Sequence, residues 1–471
     1  MKKLVLPVYL ALCCMALPMQ SWVNADELPR IDEPRRLVLV LDGVPFETIQ
    51  ELRAEGYFKS FKEPARMVST FPSLTNPSMI EILGAHDSPG YEDHYYDREI
   101  NRLVGGVQDR FRGGKFIHGT FREKFDYHAP ALRGSLAYIG QPLGAILVAQ
   151  ADVSAFRRAF KNSKSRFFVG YVGATDSLAH LGGEGPLKSL LRSLDRSIEE
   201  MQRDSGGTLE VEMASDHGNN YMFHRTVKLG SALEKAGFEI VKSIENEKSV
   251  VLPRYGLVGA AVLFTRPENR DRVAEACLTA KGVDFAVYPS QGEENRIINL
   301  VSKRGKARIL RQENSYRYEA IEGDPLELEQ IIREMPLDED GFTSREAWWN
   351  ATKTHKYADP LRRIFDGFNA HVVSRGDVIV SFENGYLIGS PFFGSLSIMF
   401  ATHGNLLQGE TDGFAMSTRQ ELGPAVRGSD VHKLFSLSEF GAAEASLYIS
   451  REGHCDGGRL LALALGNQLA D

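Results

Sequence analysis

Leu37-Val38-Leu39-Val40-Leu41-Asp42-Gly43 is the stretch whose reading decides the fold class. Five consecutive apolar residues, with no polar alternation, require burial on both faces, and Asp-Gly closes the run sharply. That combination reads as a buried strand of a parallel sheet. Residues 46–55 follow with a helical pattern. Residues 166–172 repeat the strand pattern and lead into a loop holding Asp176. From Pro186, the residues Leu187, Leu190, Leu191, Leu194, Ile198 and Met201 fall at helical spacing, with Pro186 suited to a first turn. Residues 208–214 form a third strand running into Ser215-Asp216-His217-Gly218. Strands alternating with helices predict an α/β fold: a doubly wound, mostly parallel sheet with helices on both faces.

The middle of the chain has a different rhythm. Strand signals at 260–265 and 283–287 flank a helix near 268–279, and hairpin-like runs follow at 297–301, 307–311 and 316–321. A helical stretch carries Trp348 and Trp349, and strands return at 370–390. The expected organisation is a catalytic core over 26–250 and 368–471, interrupted by an inserted α+β cap over 251–367. There is no internal repeat and no low-complexity tract.

The chain has 471 residues, 43% hydrophobic and 25% charged, which excludes a disordered or fibrous protein. Fifty-five basic against 62 acidic residues give a net charge of −7 without a long basic run, which argues against a nucleic-acid-binding role. Lys2 and Lys3 precede a short apolar run, and Val23-Asn24-Ala25 offers small residues at the positions a signal peptidase reads. Residues 1–25 therefore read as a signal peptide, and the protein is expected to be exported, periplasmic or secreted. Removing its two lysines leaves −7 − 2 = −9. Leu12 stands where a small residue should precede a lipid-modified cysteine, which argues against anchoring at Cys13 or Cys14. No other segment reaches about 18 apolar residues, so no membrane span is expected in the mature chain. Cys277 and Cys455 then remain, enough for one disulfide and too few for a cysteine-rich zinc site. Any metal must be held by histidines and carboxylates.

Such residues gather at strand ends, where ligands of open parallel sheets bind. Asp42 ends the first strand, Asp176 and His180 stand four apart after another, Asp216-His217 end a third, and His403-Gly404 follow the apolar stretch 395–401. Taken singly, each has an ordinary reading as a turn, a chance helical pair or a solvated loop. Jointly they supply three carboxylates and three histidines, a donor set suited to two zinc-like ions that could clamp a phosphoryl displacement. A hydroxyl nucleophile is available in the stretch Ser69-Thr70-Phe71-Pro72-Ser73-Leu74-Thr75-Asn76-Pro77-Ser78, just before an apolar helical run closed by Gly84. At that helix start it is either a simple N-cap or a group poised beside phosphate-binding N–H groups.

Together these motifs resemble the alkaline phosphatase superfamily, and within it the nucleotide pyrophosphatase/type I phosphodiesterase branch. The strand ending in Asp42, the Thr-x-Pro-Ser helix start, Asp176-x-x-x-His180, Ser215-Asp216-His217-Gly218 and His403-Gly404 occur in the family's order. The resemblance covers roughly 35–218 and 370–420. It implies one ion held by Asp42, Thr75, Asp216 and His217, a second held by Asp176, His180 and His403, and a phospho-threonine intermediate hydrolysed by water. Both Thr70-Phe71-Pro72-Ser73 and Thr75-Asn76-Pro77-Ser78 fit the nucleophile motif. The family's helix usually ends in Gly about ten residues on, which favours Thr75 with Thr70 as the alternative, although Thr-Phe-Pro is the commoner spelling. The chain departs from the family at residues 90–96, where an Asn that donates to a phosphoryl oxygen is missing. Stabilisation of the oxyanion is then expected from metals and from N–H groups near Asn76.

The expected function is that of an exported two-metal phosphohydrolase acting on small-molecule phosphodiesters or related phosphate and phosphonate esters. No Arg lies between Thr75 and Tyr96 to meet a monoester dianion, and Tyr91, Tyr95 and Tyr96 are candidates to line a groove for an organic group. The alternatives are a phosphomonoesterase of the same superfamily and, from another class, a non-catalytic metal-stabilised binding protein. A sulfatase would need an oxidisable Cys or Ser where Thr75 stands.

Overall fold

The computed structural model describes residues 34–106, 119–129, 137, 142–254, 256–390 and 399–440. The expected signal peptide (1–25) and Cys455 lie outside the described residues, while Cys277 is buried. No helix among the described residues is long and apolar enough to cross a membrane.

The fold is α/β. Its central sheet has seven strands in the order Ala425–Arg427, Ala65–Val68, Asp412–Ser417, Glu210–Ser215, Arg36–Leu41, Phe167–Val172 and Tyr127–His128. Arg36–Leu41 runs parallel to both neighbours, and only Asp412–Ser417 opposes its neighbours. The continuous apolar run is explained by its two faces. Leu37, Leu39 and Leu41 pack against helices Phe46–Ala54, Leu143–Asn162, Ala174–Gly182 and Glu184–Asp204. Val38 and Val40 point the other way, onto Thr75–Leu83 and Gly428–Leu434. Side chains alternate across a strand, so a strand covered on both sides needs apolar residues at every position. Each buried Leu or Val contributes about 1.5–3 kcal/mol.

A second seven-stranded sheet is antiparallel throughout. Its order is Ala260–Leu263, Val378–Phe382, Val283–Pro289, Ile297–Ser302, Gly305–Gln312, Ser315–Gly323 and Thr343–Ser344. Val378–Phe382 joins this sheet from beyond the expected cap boundary at 367. It pairs between Ala260–Leu263 and Val283–Pro289, because Val378 and Val380 complete one apolar face and Ile379 the other.

That second sheet bears directly on the nucleophile loop. Phe71 and Leu74 insert into its apolar face with Phe285, Val287 and Ile379, and the Phe71 and Phe285 rings are 5.9 Å apart. Helix Pro360–Asn369 packs against the same cluster through Leu361, Ile364 and Phe365. The loop before Thr75 is therefore held between the two sheets.

Candidate active site

Four segments converge at the carboxyl ends of the central strands. Asp42 follows Arg36–Leu41, and Asp216 and His217 follow Glu210–Ser215. Asp176 and His180 occupy successive turns of Ala174–Gly182, and His403 follows the short strand Ala401–Thr402, which pairs with Asn220–Tyr221. Gly43 makes the tight approach possible. Its φ is +64°, and a Cβ there would fall 2.4 Å from Asp176 Oδ1 and 2.6 Å from Asn219 Nδ2.

Two overlapping groups have donor atoms within 4.8 Å of one another: Asp42, Asp216 and His217, and Asp176, His217 and His403. His217 belongs to both. His180 joins through Asp176, with Nε2 3.1 Å from Oδ2, and His403 Nε2 lies 3.8 Å from Asp176 Oδ1. Every imidazole is oriented the same way. His180 Nδ1 lies 2.7 Å from the Ala401 carbonyl, His217 Nδ1 2.8 Å from that of Gly218, and His403 Nδ1 2.8 Å from that of Ser73. A carbonyl only accepts, so each Nδ1 carries a proton and each Nε2 is turned towards the cluster.

The carboxylates are fixed with equal care. Asp216 Oδ1 accepts the backbone N–H groups of Gly43 and His217, both at 3.0 Å, while its buried Oδ2 has no hydrogen-bond partner. The Tyr171 hydroxyl donates to Asp42 Oδ2, and Thr175 Oγ1 donates to the Asp42 carbonyl at 2.6 Å. Asn219 Nδ2 donates to Asp176 Oδ1 at 3.0 Å and to the Gly43 carbonyl at 2.8 Å. Burial, together with the charges of Asp216 and Asp176, pushes the Asp42 carboxyl well above its usual range. Burial also raises Asp216. Burial opposes the charge on Asp176, but adjacent His180 outweighs it and holds that carboxyl low. Burial, then the His217 ring, holds His403 well below the usual histidine range, so it is a neutral donor.

A divalent cation fits this site. An orphaned buried carboxylate oxygen, three imidazole Nε2 atoms turned inward and three acids crowded away from water are what a cation would satisfy. The mixed imidazole and carboxylate donors suit a zinc-like ion better than magnesium.

Thr75 is the first residue of helix Thr75–Leu83, which Gly84 ends in the left-handed conformation. Its Oγ1 lies 3.4 Å from Asp42 Oδ1 and 3.4 Å from His217 Nε2. Thr70 is elsewhere: its buried hydroxyl bonds the Pro72 carbonyl at 3.0 Å and Ser78 Oγ at 2.9 Å. Asn76 is buried beside Thr75, with neither end of its amide hydrogen-bonded.

The three tyrosines of the expected groove sit against the second sheet, and Tyr91 and Tyr95 line a small pocket with Leu74. Tyr91 is buried among Phe71, Leu74 and Phe264, its hydroxyl donating to the Gly367 carbonyl at 2.6 Å and accepting from Gly376 N–H at 3.1 Å. Tyr96 is likewise buried, its ring 5.0 Å from Phe264. Both serve the second sheet's core. Tyr95 is half-buried and folds over Gly90. Sequence reasoning missed Tyr171, Thr175 and Asn219. Tyr171, in a strand's last positions, and Asn219, directly after Asp-His-Gly, were both placed to be noticed.

In sequence the chain matches no family model and no curated protein. Among solved structures it is similar to murine ectonucleotide pyrophosphatase/phosphodiesterase 5, at 13% identity over 86% of this chain and 95% of that one, with a TM-score of 0.45. The human ectonucleotide pyrophosphatase/phosphodiesterase 5 gives 13%, 86%, 95% and 0.43 by the same measures. Phosphonoacetate hydrolase from Sinorhizobium meliloti, in complex with phosphonoformate, gives 13% identity over 89% of this chain and 98% of that one, with a TM-score of 0.48.

Proposed function

We propose that the chain is a metal-dependent phosphohydrolase of the alkaline phosphatase superfamily, cleaving phosphodiesters or related phosphate and phosphonate esters with Thr75 as nucleophile. The observation that carries this reading is the Thr75 hydroxyl, equidistant at 3.4 Å from Asp42 Oδ1 and His217 Nε2 at a helix N-terminus. Asp42, Thr75, Asp216 and His217 would hold one cation, and Asp176, His180 and His403 the other, with His217 near both. When bound, two such ions supply Lewis acidity that lowers the pKa of a coordinated hydroxyl and neutralises phosphoryl oxygens.

The protein's own residues do the rest. Thr75 Oγ1 forms the new P–O bond while its proton passes towards Asp42 Oδ1, and the ester oxygen departs with the leaving alcohol. Backbone N–H groups at the start of the helix face the phosphoryl oxygens, and the helix dipole favours their charge. Water then cleaves the phospho-threonine and returns the hydroxyl. Among the described residues no Arg or Lys is hydrogen-bonded or ion-paired to Asp42, Thr75, Asp176 or Asp216, which favours a diester or phosphonate monoester over a monoester dianion. A signal peptide at 1–25 and export belong to the same reading.

Zinc-loaded protein assayed with aryl phosphate diesters, phosphonate monoesters, monoesters and sulfates tests it. Hydrolysis of the first two at higher kcat/KM than the matching monoester is expected, with sulfate esters far behind. A tenfold monoester preference would return the chain to the phosphomonoesterases. Tight metal binding with no turnover of any ester would leave a binding protein.

A further inference from the structure

An open cavity of ≈ 550 Å³ lies beside the strand that carries His403. Its walls come from segments 226–231 and 387–390, with Arg254 and Leu257 between them. These walls are tied to the candidate active site. The Thr402 hydroxyl donates to the Leu257 carbonyl at 2.8 Å, and Gly259 N–H donates to the His403 carbonyl at 2.6 Å. Val258 and Ile388 exchange backbone hydrogen bonds at 2.9 Å, and Val227 N–H bonds the Leu387 carbonyl at 2.8 Å. The wall of the cavity at Leu257 is therefore hydrogen-bonded to the strand Ala401–Thr402, which immediately precedes His403.

Its chemistry is mixed. Leu229, Ile240, Leu257 and Ile388 give it an apolar lining, and its volume falls in the range of small-molecule sites, about 300–1,000 Å³. Two cations, Lys228 and Arg254, stand at its edge, both exposed. Among the described residues neither side chain makes a hydrogen bond or an ion pair. Glu234 is the one acid among the lining residues, so the lining carries a net positive charge in a chain whose net charge is −7. Exposed cations are ordinary, but two without an ion-pair partner on one apolar-lined cavity are electrostatically suited to an anion on a short organic stem.

We propose that this cavity receives the organic group of the substrate, and that Lys228 and Arg254 select an organic group bearing its own anion, a carboxylate or a phosphate. The proposal rests on the phosphohydrolase reading. It deepens that reading by naming the substrate class: a phosphate or phosphonate ester with a second negative charge remote from the reacting phosphorus.

The test compares three diesters that release the same 4-nitrophenolate: phenyl, 4-carboxyphenyl and 4-phosphonophenyl 4-nitrophenyl phosphate. The zinc-loaded protein is expected to favour at least one anionic diester by about tenfold in kcat/KM, through KM, at low salt, with the gain shrinking as salt rises. Whichever anion shows the larger gain identifies the group bound. In the Lys228→Ala/Arg254→Ala double variant the ratio should fall to within about twofold of unity. Hydrolysis of all three diesters with equal kcat/KM, or a ratio that survives the double variant, overturns the subsite and leaves the hydrolase reading intact. Calorimetric titration of the Thr75→Ala protein with the same diesters separates the two claims. Tighter binding of an anionic diester that disappears when Lys228 and Arg254 are also replaced supports the subsite even without turnover, whereas equal binding of all three overturns it.

Discussion

The imidazole rings of His217 and His403 are stacked, with centroids 3.8 Å apart and planes 17° from parallel. Stacking places both Nε2 atoms against Asp176 while each Nδ1 is held by a backbone carbonyl. His217 also belongs with Asp42 and Asp216, so it bridges the two groups of donors. Metal content should therefore respond unequally to two substitutions. Elemental analysis of the intact protein is expected to find about two transition-metal ions per chain. His403→Ala should lose about one of them and His217→Ala should weaken both. Saturating zinc should raise the unfolding free energy by about 2.7 kcal/mol at a hundredfold excess over Kd, read as a rise in Tm that chelation reverses. Equal metal loss in the two variants would contradict the bridging position.

Thr75 and Thr70 differ in what each hydroxyl touches, and that separates them experimentally. Thr75→Ala removes a group facing Asp42 and His217 that caps no backbone N–H, so stability should change by less than about 1 kcal/mol while turnover falls at least roughly 10³-fold. Thr70→Ala removes two buried hydrogen bonds and leaves Ser78 short of a partner. It should cost about 1–2 kcal/mol of stability and keep most of the activity. Urea denaturation and steady-state kinetics on both variants check the pair, and the reverse pattern would move the nucleophile to Thr70.

How much of this was legible in the sequence follows from the range over which each feature is determined. The doubly covered strand could be read at residues 37–41 because burial on both faces leaves a local mark, five apolar residues in succession. The candidate donors could be read because Asp42, Asp216, His217 and His403 follow strands directly and Asp176 and His180 stand four apart on the helix after another. The hydrogen bonds of Tyr91 could not be read from the sequence, because its partners Gly367 and Gly376 lie more than 270 residues away and nothing near residue 91 announces them. The sheet to which Val378–Phe382 belongs is hidden for the same reason. Val378–Phe382 has the apolar composition of any buried strand, and only its pairing with Ala260–Leu263 and Val283–Pro289 assigns it to the second sheet.

Arg363 is a further case of long-range placement with a measurable effect. Its buried guanidinium donates to the carbonyls of Ala358, Leu406 and Thr70 at 2.9, 3.3 and 2.9 Å and to Thr411 Oγ1 at 2.7 Å. It thereby ties the loop before Thr75 to the loop after His403. Burial pulls its pKa down to about 9, and no carboxylate lies within ion-pair distance among the described residues. Arg363→Met should leave buried acceptors unsatisfied and cost about 3 kcal/mol or more by urea denaturation. Because the substitution loosens the nucleophile loop, kcat should fall more than KM rises. Unchanged kcat in the folded variant would show that Phe71, Leu74 and the Ser73 contacts with His403 and Gly404 hold the loop without Arg363.

Glu92 supplies the pH dependence that can be assigned most directly. Burial raises its carboxyl to about 7, against the Gly256 N–H that donates to Oε1 at 2.8 Å, and neighbouring Asp93 raises it further. The ordinary value for the unfolded chain is near 4.5, so between these two values the folded state holds a proton that the unfolded state has released. Stability from this group is therefore fully present below the unfolded value and is lost as pH climbs through the window to about 7. The loss is at most about 3 kcal/mol, reduced by whatever solvent reaches this half-buried side chain. Glu92→Gln keeps an acceptor for Gly256 and cannot ionise, so it should flatten the decline in Tm between pH 5 and pH 8 and exceed the wild type at the upper end. If thermal scans across that range give parallel curves for the two proteins, Glu92 is ionised in the folded state at ordinary pH, and the strand segment around it is better hydrated than its packing against Gly256 indicates.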